Sequence, residues 1–185
     1  CFQTARSLRV ELAACEPQVV DPIEARFDEQ GRLWVVEMRD YPNGPPAQQP
    51  FLSRIKLLED RDGDGFYEWS AVFADRLAFP TGLQPWRQGV IVTLAGRIVY
   101  LADTNGDAQA DHEETWFTGF AEENPQLRAN HPRLGPDNFV YVANGLRGGT
   151  VVPQRSGHKP VPIGGRDFRF DPHTLRGEAV SGHGQ

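Results

Sequence analysis

The sequence predicts an all-β fold of the propeller type, on three observations. One stretch returns at a spacing of 43 residues: R-I-K-L-L-E-D-R-D-G-D at 54–64 is matched by R-I-V-Y-L-A-D-T-N-G-D at 97–107. That period falls in the range of a four-stranded propeller blade, roughly 40–45 residues. Short runs rich in β-branched and aromatic residues recur between Gly, Pro and Asp turns, the pattern of strands in an all-β domain. No 3.6-residue apolar stripe of useful length is present, so little helix is expected.

The elements follow in order. Residues 7–20 begin with an alternation that places Leu8, Val10 and Leu12 on one face of a strand; Pro17 and Pro22 end any regular run. Residues 28–31 read as a turn and 33–38 as a strand. Residues 41–50 hold four prolines and a glycine and read as a loop. Residues 54–58 form a strand into an acidic loop, and 69–73 leave it. Residues 79–83 read as a turn, 89–94 as a buried strand, and Ala95-Gly96 turn it back. Residues 97–101 enter a second acidic loop and 114–117 leave it. Q-G-R-L-W-V at 30–35 is echoed by D-N-F-V-Y-V at 137–142, each a turn feeding an aromatic-centred strand. R-D-F-R-F-D at 166–171 alternates as a strand, and S-G-H-G-Q follows with no closing strand, an ending that reads as cut.

The two acidic loops carry the clearest chemistry. Asp60, Asp62, Asp64 and Glu68 stand at positions 1, 3, 5 and 9 of the first; Asp103, Asn105, Asp107 and Asp111 stand at the same positions of the second. Oxygens on alternate residues of a tight loop can converge on one hard cation, and Ca²⁺ takes six to eight of them. The carbonyls of Phe66 and Gln109 would serve at position 7. Gly65 suits the sharp turn at position 6, where the second loop has Ala108. At position 12, where an EF-hand wants a bidentate Glu, the second loop offers Glu114 and the first Ala71. Two hairpin turns that bind nothing are the plain alternative; two copies in register favour calcium.

Composition narrows the remaining classes. The chain has 185 residues, enough for one domain, with net charge −6 and pI ≈ 5.4, which argues against a nucleic-acid partner. No run of eighteen apolar residues exists, so no transmembrane segment is expected. Cys1 and Cys15 are too few for a disulfide framework, and no C-x-x-C-H haem attachment occurs. The chain begins at Cys1 and its one Met is Met38, which fits a removed leader, a lipidated Cys or a piece of a longer protein. There is no G-x-S-x-G, P-loop or G-x-G-x-x-G. His112 falls inside the second acidic loop and is expected to face solvent, and His158, His173 and His183 show no metal-ligand spacing.

Over nearly its whole length the chain resembles a known family. The residues that carry this are E-P-Q-V-V-D-P, F-D-E-Q-G-R-L-W-V-V-E-M-R-D-Y-P, R-I-K-L-L-E-D-R-D-G-D-G, L-A-D-T-N-G-D-A-Q-A-D, G-P-D-N-F-V-Y-V-A-N-G and G-R-D-F-R-F-D-P. They resemble the N-terminal propeller of the membrane-bound dehydrogenase proteins of planctomycetes and verrucomicrobia, related to soluble quinoprotein glucose/sorbosone dehydrogenases. The resemblance implies a six-bladed propeller of which residues 1–185 supply three to four blades, with no second domain in this chain. It implies an extracytoplasmic protein, periplasmic or secreted or membrane-anchored, with a haem c domain further along the full-length polypeptide. It implies PQQ over a calcium ion at the propeller centre, a sugar or polyol substrate, and a His as base. His131, ahead of G-P-D-N-F-V-Y, is the matching position; a neutral imidazole can take a hydroxyl proton as hydride leaves. Arg147 and Asn144 would face an anionic cofactor group. The alternative is a non-catalytic, calcium-stabilised propeller that serves as a binding or scaffold module of a larger secreted protein.

Overall fold

The computed structural model describes residues 3–145 and 148–180. Among these the structure is all-β, with one short 3₁₀ turn at Pro125–Leu127 and no α-helix. Three antiparallel sheets follow one another, and none closes on itself. The first is a four-stranded meander of β1 (Pro22–Phe27), β2 (Leu33–Glu37), β3 (Ser53–Glu59) and β4 (Trp69–Leu77). The second contains β5 (Gly82–Trp86), β6 (Gly89–Leu94), β7 (Arg97–Ala102) and β8 (His112–Phe120) in the same order. The third is built from β9 (Asn130–Leu134), β10 (Val140–Ala143), β13 (Asp167–Phe170) and β14 (Gly177–Val180). The hairpin between β10 and β13 leaves its own sheet. Its strands β11 (Gly149–Pro153) and β12 (Val161–Pro162) extend the outer edge of the second sheet beyond β8, making that sheet six-stranded.

The apolar pattern explains why the sheets stack as blades. Trp34 and Val36 of β2, with Ile55 and Leu57 of β3, pack against Val90, Val92 and Leu94 of β6 and Val99 and Leu101 of β7. The alternate residues Ile91 and Ile98 face the other way, onto Phe117, Val140, Val142, Phe168 and Phe170. A strand buried on both faces reads as a continuous apolar run rather than an alternating one, as 89–94 does. Leu33, Val35 and Leu58 on the remaining face of the first sheet are covered by Val19 and Ala14. Gln18 Nε2 donates to the carbonyls of Tyr67 and Glu68, at 3.1 and 2.9 Å, and Tyr67 N donates to Ala13 O at 2.8 Å. The N-terminal segment is therefore a strap over this face and not a strand. Leu8, Val10 and Leu12, expected to share one face of a strand, are 67%, 58% and 63% exposed.

The first strand of each blade lies innermost: β1 neighbours β5, and β5 neighbours β9. Each inner strand carries a proline, Pro22, Pro85 and Pro132. A strand with one unpaired edge tolerates the missing N–H. The residues that argue against a strand in the sequence thus mark the inner edges. The turn expected at 79–83 is the lead-in to β5, and a strand closes the third blade at 177–180.

Candidate functional site

Two polar clusters stand at opposite ends of the blades. The pairings Pro22↔Glu37, Glu37↔Arg54 and Ser53↔Leu77 set one end of the first sheet; the acidic loop between β3 and β4 lies at the other. In the second sheet Gly82↔Thr93 marks the first end, and Gly89↔Ala102↔His112 the end that carries the second acidic loop.

The acidic loops share most of one bonding pattern. Asp60 accepts from Gly63 N and Gly65 N, at 2.7 and 2.9 Å; Asp103 accepts from Gly106 N and Ala108 N, at 2.6 and 2.8 Å. Asp62 and Asn105 each accept from the backbone two residues on, as do Asp64 and Asp107, whose donors are Phe66 N and Gln109 N. Position 9 reaches back to position 2 in both: Glu68 accepts from Arg61 N at 3.0 Å, and Asp111 from Thr104 N at 2.9 Å. Chains of short Asx-type bonds fold each loop from its own residues.

The copies differ in charge and strain. Asp60, Asp62 and Glu68 bring one carboxylate oxygen each within 4.8 Å of the others. In the second loop Asn105 replaces one carboxylate, and both oxygens of the shorter Asp111 are taken by Thr104 N and Oγ1. Those bonds hold the Asp111 carboxyl below the usual carboxylate range. Gly65 has φ +94° and Ala108 φ +65°, so only the second loop places a Cβ in the left-handed region. Glu114 does not act at position 12. It sits in β8 with Oε2 accepting from Trp116 Nε1 at 3.0 Å, because strands rather than helices flank both loops. The Phe66 carbonyl already accepts from Glu68 N at 3.1 Å. The donor set of the first loop, hard oxygens on alternate residues, fits Ca²⁺ better than that of the second.

The other cluster lies where the inner strands meet. Gly82 permits the approach: a Cβ there would stand 2.8 Å from His131 N and 2.9 Å from Pro132 Cδ, and would clash with Glu24 Oε2. Glu24 Oε2 accepts from Leu83 N at 3.2 Å; its Oε1 pairs closely with Arg26 and lies 3.4 Å from His131 Nδ1. One carboxylate on β1 therefore touches all three blades. Its side chain is 7% exposed, and burial pushes its pKa up despite Arg26 and His131. Arg133 Nε donates to His131 Nε2 at 3.0 Å. His131 lies within β9, not ahead of it. The pairings Tyr141↔Arg133 and Ala143↔Asn130 put an extra residue on β9, and His131 has φ +56°. This bulge aims an imidazole that is 52% exposed toward β1. His131 and Arg133 also line a recess of about 330 Å³ with Tyr141, Val142, Ala143, Asp167 and Val180.

The structure thus gathers His131 with Glu24, Arg26 and Arg133, three residues that sequence reasoning missed. The signal was present as P-I-E-A-R-F, where Glu24 and Arg26 share a strand face, and as H-P-R, where His131 and Arg133 do. Asn144 is buried, 1% exposed, and its backbone N donates to Asp167 Oδ1 at 3.0 Å. Arg147 lies outside the described residues. The Arg26 guanidinium and the His131 imidazole face one carboxylate here, and Arg133 adds a second guanidinium at the far ring nitrogen. Arg26 Nε is buried with no hydrogen-bond partner among the described residues. That excess of donors fits an anionic cofactor such as PQQ. The acidic loops are at the far ends of the strands, so a cation held in them does not touch a ligand at His131. No helix among the described residues is long and apolar enough to cross a membrane.

No curated protein matches the chain. A family match spans residues 1–185, and the chain accordingly belongs to the family described as a domain of unknown function, DUF7133.

Proposed function

We propose that this chain is the first blades of a six-bladed quinoprotein sugar or polyol dehydrogenase that works outside the cytoplasm, with His131 as its general base. The observation that carries the reading is the bulged inner strand that directs His131, flanked by Arg26 and Arg133, into the space where three blades converge. The resemblance to glucose/sorbosone dehydrogenases agrees with it. PQQ, when bound, supplies the hydride acceptor. His131 Nε2 takes the hydroxyl proton once the alcohol displaces Arg133 from it. Arg26 and Arg133 hold anionic groups. Calcium in the acidic loops clamps the outer hairpins. Electrons leave through a haem c domain of the full-length polypeptide.

The test uses that full-length polypeptide. Calorimetry with PQQ is expected to show saturable binding, and the loaded protein to reduce an artificial electron acceptor with aldoses or polyols. Absence of PQQ binding would overturn the reading. One observation favours a second, non-catalytic reading as a calcium-stabilised scaffold: Arg133 already occupies His131 Nε2. Calcium-dependent stability without PQQ binding would establish that one instead.

A further inference from the structure

We infer that Glu24 is a positioning residue: it fixes His131 as the tautomer with its proton on Nδ1 and its lone pair on Nε2. This rests on the reading of His131 as a base. Two contacts point to the same tautomer: a hydrogen bond received at Nε2 and a carboxylate beside Nδ1. Arg133 is always protonated, so its Nε–H, 3.0 Å from His131 Nε2, needs an acceptor there. A neutral imidazole that accepts at Nε2 carries its hydrogen on Nδ1, and Nδ1 lies 3.4 Å from Glu24 Oε1.

Glu24 is itself held at both oxygens and buried. Leu83 N donates to one oxygen, Arg26 pairs with the other, and the side chain is 93% removed from solvent. The carboxylate therefore cannot rotate to follow the ring; the ring aligns to it. The bulge at His131 fixes the backbone from the other side. The arrangement is a base oriented by a buried carboxylate on its far nitrogen, the logic that prepares imidazole to take a proton from a hydroxyl. It is assembled across the blade boundaries from positions 24 and 131. A structural latch alone would need the contacts but would not care which nitrogen bears the proton.

The experiment reads the imidazole directly. Long-range ¹H–¹⁵N correlation spectra of ¹⁵N-histidine-labelled protein, assigned with His131→Ala, are expected to show His131 protonated on Nδ1. In Arg133→Ala the Nδ1–H form is expected to persist on Glu24 alone; in Arg133→Ala combined with Glu24→Gln, where Nε2 has lost the Arg133 donor and the amide can donate to Nδ1, the signal is expected to move to the Nε2–H form or a mixture. Turnover in Glu24→Gln should fall by roughly 10²–10⁴ in kcat, with KM changed less than threefold. A wild-type His131 protonated on Nε2 overturns the inference, and that measurement decides alone if the variant does not fold. An unchanged tautomer in the folded double variant, or a tautomer lost in Arg133→Ala alone, overturns it too. A tautomer that shifts while His131→Ala keeps full turnover upholds the Glu24–His131 pair and removes His131 from the chemistry.

Discussion

The two ends of the blades are built by opposite means. At the acidic end each loop is satisfied by bonds between residues two to seven positions apart, and the second loop repeats the first 43 residues later. At the axial end, residues 24, 83 and 131 meet around one buried carboxylate. Local, repeated chemistry is copied with the blade; the axial site exists only where blades converge. A ligand at one end should therefore leave the other nearly untouched, and that separation can be attacked directly.

The largest effect is expected on catalysis. His131→Ala should lower kcat of the PQQ-loaded full-length protein by roughly 10²–10⁴ with the melting curve unchanged. Asp60→Ala combined with Asp103→Ala should leave kcat within a fewfold. A loss of turnover in the loop double variant would break the separation of the two ends.

Next in size is calcium. Cation binding to the folded loops alone stabilises by about 2.7 kcal/mol at a hundredfold excess over Kd. EDTA is expected to lower Tm and Ca²⁺ to restore it. The first loop, with its convergent triad, should dominate: Asp60→Ala should remove most of the response and Asp103→Ala less. Equal losses would show that Asn105 and the engaged Asp111 cost the second loop nothing.

A third effect concerns pH, and its sign differs between the ends. Glu37, at the axial end, has a side chain 2% exposed, with Val20 N donating to Oε1 at 2.9 Å and Arg54 Nε 3.2 Å from Oε2. Burial raises its pKa above 4.5. In the folded state it ionises at higher pH than in the unfolded chain. Its contribution is full below about 4.5 and is lost as pH rises through the raised value. Asp111 is shifted down from 3.8 by its Thr104 bonds, so its contribution is present above 3.8 and is lost as pH falls below it. Denaturation midpoints measured from pH 3 to 7 should therefore lose their upper-side dependence in Glu37→Gln and part of their acid-side dependence in Asp111→Asn.

The smallest effect tests the strain that separates the two loops. Ala108→Gly relieves a Cβ at φ +65°. After the greater freedom glycine gives the unfolded chain, it should stabilise by about 0.5–1 kcal/mol. Gly65→Ala, at φ +94°, should destabilise by at least as much.

This contrast also explains what could be read from the chain. The acidic loops, the strands at 33–38, 54–58, 89–94 and 97–101, and the blade period were legible because side chains, turns and neighbours lie close in sequence. Inner strands β1, β5 and β9 were not, since Pro22, Pro85 and Pro132 argue against strands unless an unpaired edge is already known. Leu8, Val10 and Leu12 alternate like a strand but find no partner edge, and the strap over Leu33 and Val35 uses Ala14 and Val19 instead. His131 was singled out as a lone residue, but Glu24 could not be tied to it. Nothing local at 22–27 says that Gly82 will let the chain from 131 approach.

The hairpin β11–β12 has a consequence for how the molecule assembles. The second blade cannot complete its outer edge until residues 149–162 exist, some 30 residues after its own fourth strand ends. During synthesis β8 stays an open edge until a segment interrupting the third blade arrives to cover it. Those two blades are stitched by the β8–β11 backbone ladder, while the first blade joins the second through a side-chain core, the backbone bond from Ala110 N to Phe73 O and a few polar contacts. Under mechanical load, or in hydrogen exchange, the first blade is the one free to peel away as a separate unit, and the second and third open together.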